Sequence, residues 1–156
     1  LNLATSLSGQ QWSNSVIKYG DVDWYISIDI DSNGFSHIIY RQYSPGGGYY
    51  YATNSSGSWT NSLVSNFNTK FPSMTIDSND VLHISYSDGV SYLKHATCSS
   101  SCESTSSWTQ NAIDSGGFSY TSIAVDSNDN PHISYMDANA GSLKYAYLNS
   151  TWSSYV

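Results

Sequence analysis

The sequence predicts an all-β chain made of β-propeller blades, and three observations carry that prediction. The segments Ile26–Tyr40, Pro72–Tyr86 and Thr121–Tyr135 align without a gap, placing Asp31, Asp77 and Asp126, then His37, His83 and His132, then Tyr40, Tyr86 and Tyr135 in common columns. Within each copy, apolar residues alternate with small or polar ones at the period of a strand. The Asp column repeats after 46 and 49 residues, the length of one four-stranded blade.

The elements follow in order. The strand Ser27–Asp31, with Ser73–Asp77 and Ser122–Asp126, alternates Ile28, Met74 or Ile123 with Ile30, Ile76 or Val125. Asp-Ser-Asn-Gly or Asp-Ser-Asn-Asp then makes a tight turn, because Asn, Asp and Gly tolerate left-handed backbone and the Asp carboxylate accepts turn amides. A second strand carries His-Ile-Ser-Tyr or its equivalent. A third carries Leu-Lys-Tyr-Ala or its Tyr-rich counterpart, and a fourth opens on Trp59, Trp108 or Trp152. Trp12 supplies a fourth member of that Trp column. The expected division is therefore 1–25 as an N-terminal outer strand and linker, then repeats at 26–71, 72–120 and 121–156.

These residues resemble the sialidase-like, Asp-box-related propeller repeats of bacterial and archaeal surface proteins. The shared pattern is a strand ending in Asp, a turn, Pro-His-Ile-Ser-Tyr-x-Asp, Leu-Lys-Tyr-Ala and Trp, and Pro131–Ala146 matches it best. The Asp-box ends in an aromatic where this chain has His37, His83 and His132. The resemblance implies that the loops between second and third strands, and between successive blades, gather on one face around a central channel.

Closed propellers have about four to eight blades, so three repeats are expected to be completed from elsewhere. Either a second copy joins head to tail in a six-bladed ring, or the contact runs on as a filament, or the blades belong to a longer array. The expected partner is thus the chain itself, with glycans as a further one.

Charge removes other partners. Five Lys and Arg face twelve Asp and Glu, for a net charge of -7, and a phosphate-dense polymer needs clustered cations. Nucleic acid is not expected as a partner, nor is membrane insertion, because no apolar run approaches a spanning length. Cys98 and Cys102 read as a disulfide closing a Ser-rich loop, with free thiols or a metal as the open alternatives. Asn54 and Asn149 begin glycosylation sequons. Together these features lead us to expect an extracellular or cell-surface setting. No basic, apolar leader opens the printed chain, so any export signal is expected to lie outside it.

Columns that recur in every repeat read as scaffold, since a catalytic apparatus is assembled once. The Asp and His columns are accordingly expected to hold turns and neighbouring strands. Calcium is the alternative for Asp77, Asp80, Asp126 and Asp129, and otherwise no cofactor is expected. Sialidase chemistry clamps a carboxylate with several arginines, and Arg41 is the only one. No Gly-x-Ser-x-Gly elbow is present, and no spacing singles out an acid and a base among Asp21, Asp23, Asp88, Asp114 and Asp137. The chain is expected not to be an enzyme, a glycoside hydrolase being the remaining alternative. The expected function is carbohydrate binding by aromatic rings beside polar acceptors. Trp24, Asp23, Tyr43, Phe67, Asp88, Phe118 and Asp137 are the candidates. Tyr25, Phe71 and Tyr120, which share a repeated column, read instead as blade packing.

Overall fold

Twelve strands pair into three separate four-stranded antiparallel sheets in the computed structural model, which describes residues 13–43, 47–65, 70–149 and 151–155. The first sheet is β1 (Val22–Ile30), β2 (Ser36–Gln42), β3 (Gly48–Thr53) and β4 (Thr60–Ser65). The second is β5 (Lys70–Ile76), β6 (Leu82–Ser87), β7 (Tyr92–Cys98) and β8 (Thr109–Ser115), with one 3-10 turn at Thr105–Ser107 before β8. The third is β9 (Phe118–Val125), β10 (Pro131–Asp137), β11 (Ser142–Asn149) and β12 (Thr151–Tyr155). Each sheet runs in sequence order, the meander expected of a propeller blade. The inner strands open at Val22, Lys70 and Phe118, slightly ahead of the boundaries the repeats suggest.

The Asp turns fold as their chemistry dictates. Asp31 Oδ1 accepts the amides of Asn33 (3.0 Å) and Phe35 (2.8 Å). Asp77 does the same for Asn79 and Val81, and Asp126 for Asn128 and Asn130. The fourth turn residue is left-handed in all three copies, at φ 83° for Gly34, 59° for Asp80 and 62° for Asp129. Only Gly, Asn and Asp enter that region at small cost, which explains the column.

The three blades stack through their inner strands. Ser27 Oγ accepts the Met74 amide at 3.0 Å, Asp29 Oδ2 that of Ile76 at 2.9 Å, and Ser73 Oγ that of Ile123 at 3.2 Å. Side chains on the His face of one blade interlock with the opposite face of the next. Ile39, Tyr49 and Tyr51 meet Met74, Ile84, Tyr86 and Trp108 in one core. A smaller core joins Leu93 to Ile123, Ile133, Tyr135 and Ala146, with Trp152 against it. The turns are clamped as well: Asp80 accepts the amide and hydroxyl of Ser32 at 2.8 and 2.6 Å, and Asp129 those of Ser78 at 2.9 and 2.7 Å.

The expected N-terminal outer strand is not formed in the described part of 1–25: residues 13–20 make no strand. An outer strand needs the third strand of its own blade as a partner, and the described residues supply none ahead of β1. Trp12 lies outside the described residues.

Candidate functional site

The end of the blades opposite the Asp turns carries the aromatic groups. Register breaks in β1, in β5 and between β9 and β10, and at these bulges Phe71 and Tyr120 take φ of 58° and 51°. Left-handed backbone is a genuine exception for a bulky residue, and a bulge re-aims the side chain it carries. The result is a ladder across three blades. Tyr25 meets Phe71 edge-on with centroids 4.8 Å apart, and Phe71 meets Tyr120 at 4.3 Å. Tyr120 leaves its ring mostly exposed. Packing alone does not account for this column, because its third member still faces solvent.

Beside the ladder, Asp23 is buried against the Arg41 guanidinium and also accepts the Trp24 amide at 2.7 Å. Arg41 lies 4.8 Å from the centre of the Tyr43 ring, a cation–π arrangement. Trp24 is 93% exposed and Tyr43 64%. The buried pair therefore fixes the backbone at Trp24 and lies under the Tyr43 ring. Sequence reasoning missed Arg41 as a site residue; its signal was that the only arginine of the chain falls within this aromatic stretch.

Between the second and third blades a cleft of about 210 Å³ is lined by Phe71, Ser87, Gly89, Val90, Gly117, Phe118, Ser119 and Ala138. At Gly117 the Asn139 side chain packs so close that a Cβ would come within 2.9 Å of it and push it aside. Phe118 itself is buried, edge-on to Tyr135 at 5.3 Å and beneath the Lys144 ammonium, and only lines the cleft wall. Asp88 Oδ1 accepts the amides of Val90, Ser91 and Tyr92. Against partial burial, those amides and the Lys94 charge hold its carboxyl below the usual range. Asp137 Oδ1 caps its own turn through Asn139 and Ala140. The structure thus brings Asp23, Trp24 and Tyr43 together and sets Asp88, Phe118 and Asp137 around the neighbouring cleft. Phe67 lies outside the described residues.

The opposite end holds a second cleft of about 210 Å³, where Asp31, His37 and Tyr51 line up beside the Cys98–Cys102 disulfide. His37 reaches Tyr51 Oη at 2.6 Å and Asp31 Oδ2 at 3.2 Å. This has the outline of a nucleophile relay, but the same relay recurs as Asp77–His83–His95 and Asp126–His132–Tyr145. Burial raises the Tyr51 hydroxyl to about 12, the opposite of activation. The relay ties each His to its turn and to the third strand.

The carboxylates considered for calcium are occupied too. Asp77 and Asp126 hold turn amides, while Asp80 and Asp129 hold the preceding turn's serine. Among the described residues no group of three His, Cys, Asp or Glu side chains could hold a metal, and no helix is long and apolar enough to cross a membrane. Asn54 follows β3 and accepts the Ser36 amide through its side chain; Asn149 closes β11.

No protein-family model and no curated protein matches the chain. Several solved structures share its fold. An ulvan lyase of polysaccharide lyase family PL25 is 16% identical, with a TM-score of 0.62 over 89% of this chain and 37% of that one. A fucose lectin from Kordia zhangzhouensis, in complex with methyl-fucoside, is 18% identical, with a TM-score of 0.54 over 84% of this chain and 97% of the lectin. An α-L-arabinofuranosidase from Podospora anserina, in complex with cellotriose, is 17% identical, with a TM-score of 0.53 over 79% and 45%. The chain spans little more than a third of the ulvan lyase. At these identities the likeness is one of fold: the three sheets are propeller blades of the type found in lectins and carbohydrate-active enzymes.

Proposed function

We propose that this chain is a non-enzymatic, carbohydrate-binding propeller module of a secreted or cell-surface protein. The observation that carries the reading is that exposed Trp24, Tyr43 and Tyr120 share one end of the blades, Trp24 and Tyr43 beside the buried Asp23–Arg41 pair and Tyr120 at the end of the Tyr25–Phe71 ladder. A sugar presents a flat C–H face to such rings and its hydroxyls to polar groups beside them. The lectin among the fold neighbours supports the reading, and the disulfide agrees with an oxidising compartment.

Against hydrolysis, a general acid needs a carboxyl held above its usual range. The rim carboxylates are instead committed to Arg41 or to turn amides. Glycan-array screening followed by titration calorimetry tests the proposal: binding to a neutral sugar is expected, weakened at least about tenfold by Trp24→Ala. Binding unchanged in both Trp24→Ala and Tyr120→Ala would refute the site.

A second reading, a structural or adhesive surface protein assembling head to tail into a ring or filament, is favoured by one observation. Ile26, Ile28 and Ile30 form an exposed apolar row on the outer face of the first blade.

A further inference from the structure

The repeats give each blade face an internal standard. Ile28, Met74 and Ile123 share one column, yet Ile28 is 59% exposed where Met74 and Ile123 are 5% and 7% exposed. The difference is the preceding blade, which the described residues supply for the second and third and not for the first. The far end shows the converse. His37 and His83 are buried by the blade that follows, whereas the side chains of His132 and Asp126 stay about one-third exposed. Tyr145, the counterpart of Tyr51 and His95, is 40% exposed and stacks only on its own blade.

The two open faces are the two halves of a junction the chain already makes twice. Within it, Trp108 packs on Tyr51 at 5.9 Å and Trp152 on His95 at 5.1 Å. The remaining members of those columns are Trp59, on the first blade, and Tyr145, on the third. Residues Ser15–Lys18 lie on this face, and docking has to move them aside for the partner copy's β12. Ile17 stands 47 residues before Val64, a residue of β4 that packs with Met74, Ile84 and Tyr86 in the internal junction. Ile17 faces their counterparts Ile38 and Tyr40 across an apolar cleft of about 360 Å³. It holds the place of an outer strand, and the cleft is the space left by the inner ones.

We propose that the third blade of one copy docks on the first blade of a second copy in the register of the internal junctions, and that this joint is built without the turn clamp. The occupant is a second copy because each open face repeats, column for column, a face that the chain buries against itself. This inference rests on the assembly reading above and is independent of sugar binding. The missing clamp is a matter of one residue. Asp80 and Asp129 grip Ser32 and Ser78 of the preceding turn, but the first blade has Gly34 in that column, leaving the partner copy's third-blade turn at Ser127 without its Asp. The joint between copies is therefore the weakest in the assembly and the reversible one.

Gly34→Asp installs the clamp. The backbone suits it, since Asp already occupies this column with positive φ and a Cβ on Gly34 meets nothing within 4 Å. Sedimentation velocity across the micromolar range is expected to show wild type in a concentration-dependent equilibrium between a 17.1 kDa monomer and larger species. Gly34→Asp should tighten association about tenfold per joint. Ile28→Asp should leave a monomer with unchanged near-ultraviolet circular dichroism. A wild-type chain that is monomeric at every concentration overturns both this joint and the assembly reading, and points to further blades of a longer chain as the true occupant. An assembly indifferent to both substitutions overturns this joint alone.

Discussion

His95 gives the strongest handle on the blade-to-blade core. In the first and third blades, Tyr51 and Tyr145 bond the His of the second strand; in the second blade, His95 meets His83 at 3.1 Å. His95 is buried between His83 and Trp152, so charging it means desolvating a cation beside another imidazole. Burial first, and His83 second, push its ionisation from 6.5 down to about 3. The unfolded chain takes up a proton near pH 6.5 that the folded chain refuses until about pH 3. Stability is therefore complete above pH 6.5 and falls as pH falls through that window, by at most about 1.4 kcal/mol per pH unit. Down to about pH 4.5, above the main carboxylate range, the loss reaches roughly 2–3 kcal/mol, a large share of the ~5–15 kcal/mol that holds a domain folded. Urea titrations of wild type and His95→Tyr at about pH 7 and about pH 4.5 measure it. The variant restores the residue found in the sister blades and should lose less stability on acidification by that amount. Parallel losses in the two proteins would show that His95 is protonated in the folded state, and the reasoning would fail.

Three further outcomes follow from the same columns. Met74→Ala should cost roughly 2–5 kcal/mol by opening a cavity between the first two blades, whereas Ile28→Ala in dilute monomer should cost under about 1 kcal/mol. Equal costs in urea unfolding would mean that the first blade's outer face is already covered. Asp129→Ala removes the acceptor for Ser78 and Asn79 and should lower the thermal midpoint less than Met74→Ala does. Millimolar calcium should leave the wild-type midpoint unmoved, because the turn oxygens are already engaged; an upward shift would restore these carboxylates as ligands.

The blade order and the turn chemistry were legible because both are periodic: a repeat displays its own alignment, and an Asp two residues before an Asn has few local roles. The rim was less legible. Asp23 and Arg41 lie 18 residues apart, and nothing in either stretch announces that a bulge brings them together. Phe118 broke the repeat pattern and drew notice as a ligand candidate, yet the structure gives it to the core against Tyr135. Tyr120 conformed to the pattern and read as packing, yet it stands exposed. Pattern breaks mark where a sequence differs from its repeats; exposure depends on backbone conformation, and the left-handed bulges at Phe71 and Tyr120 fall just outside the aligned segments. Residues 13–20 make no strand here, since strand formation depends on a partner that local sequence does not supply.

The tryptophan column has an optical consequence. Trp108 reports the junction of the first and second blades, buried with its indole N–H donating to the Cys102 carbonyl beside a disulfide. Trp152 reports the junction of the second and third, against an imidazole. Indole emission moves to longer wavelength when water reaches the ring. Two single-tryptophan variants, one keeping Trp108 and one keeping Trp152, would each shift its emission to longer wavelength as its own junction parts and the indole loses its cover, so fluorescence alone can time which pair of blades separates first.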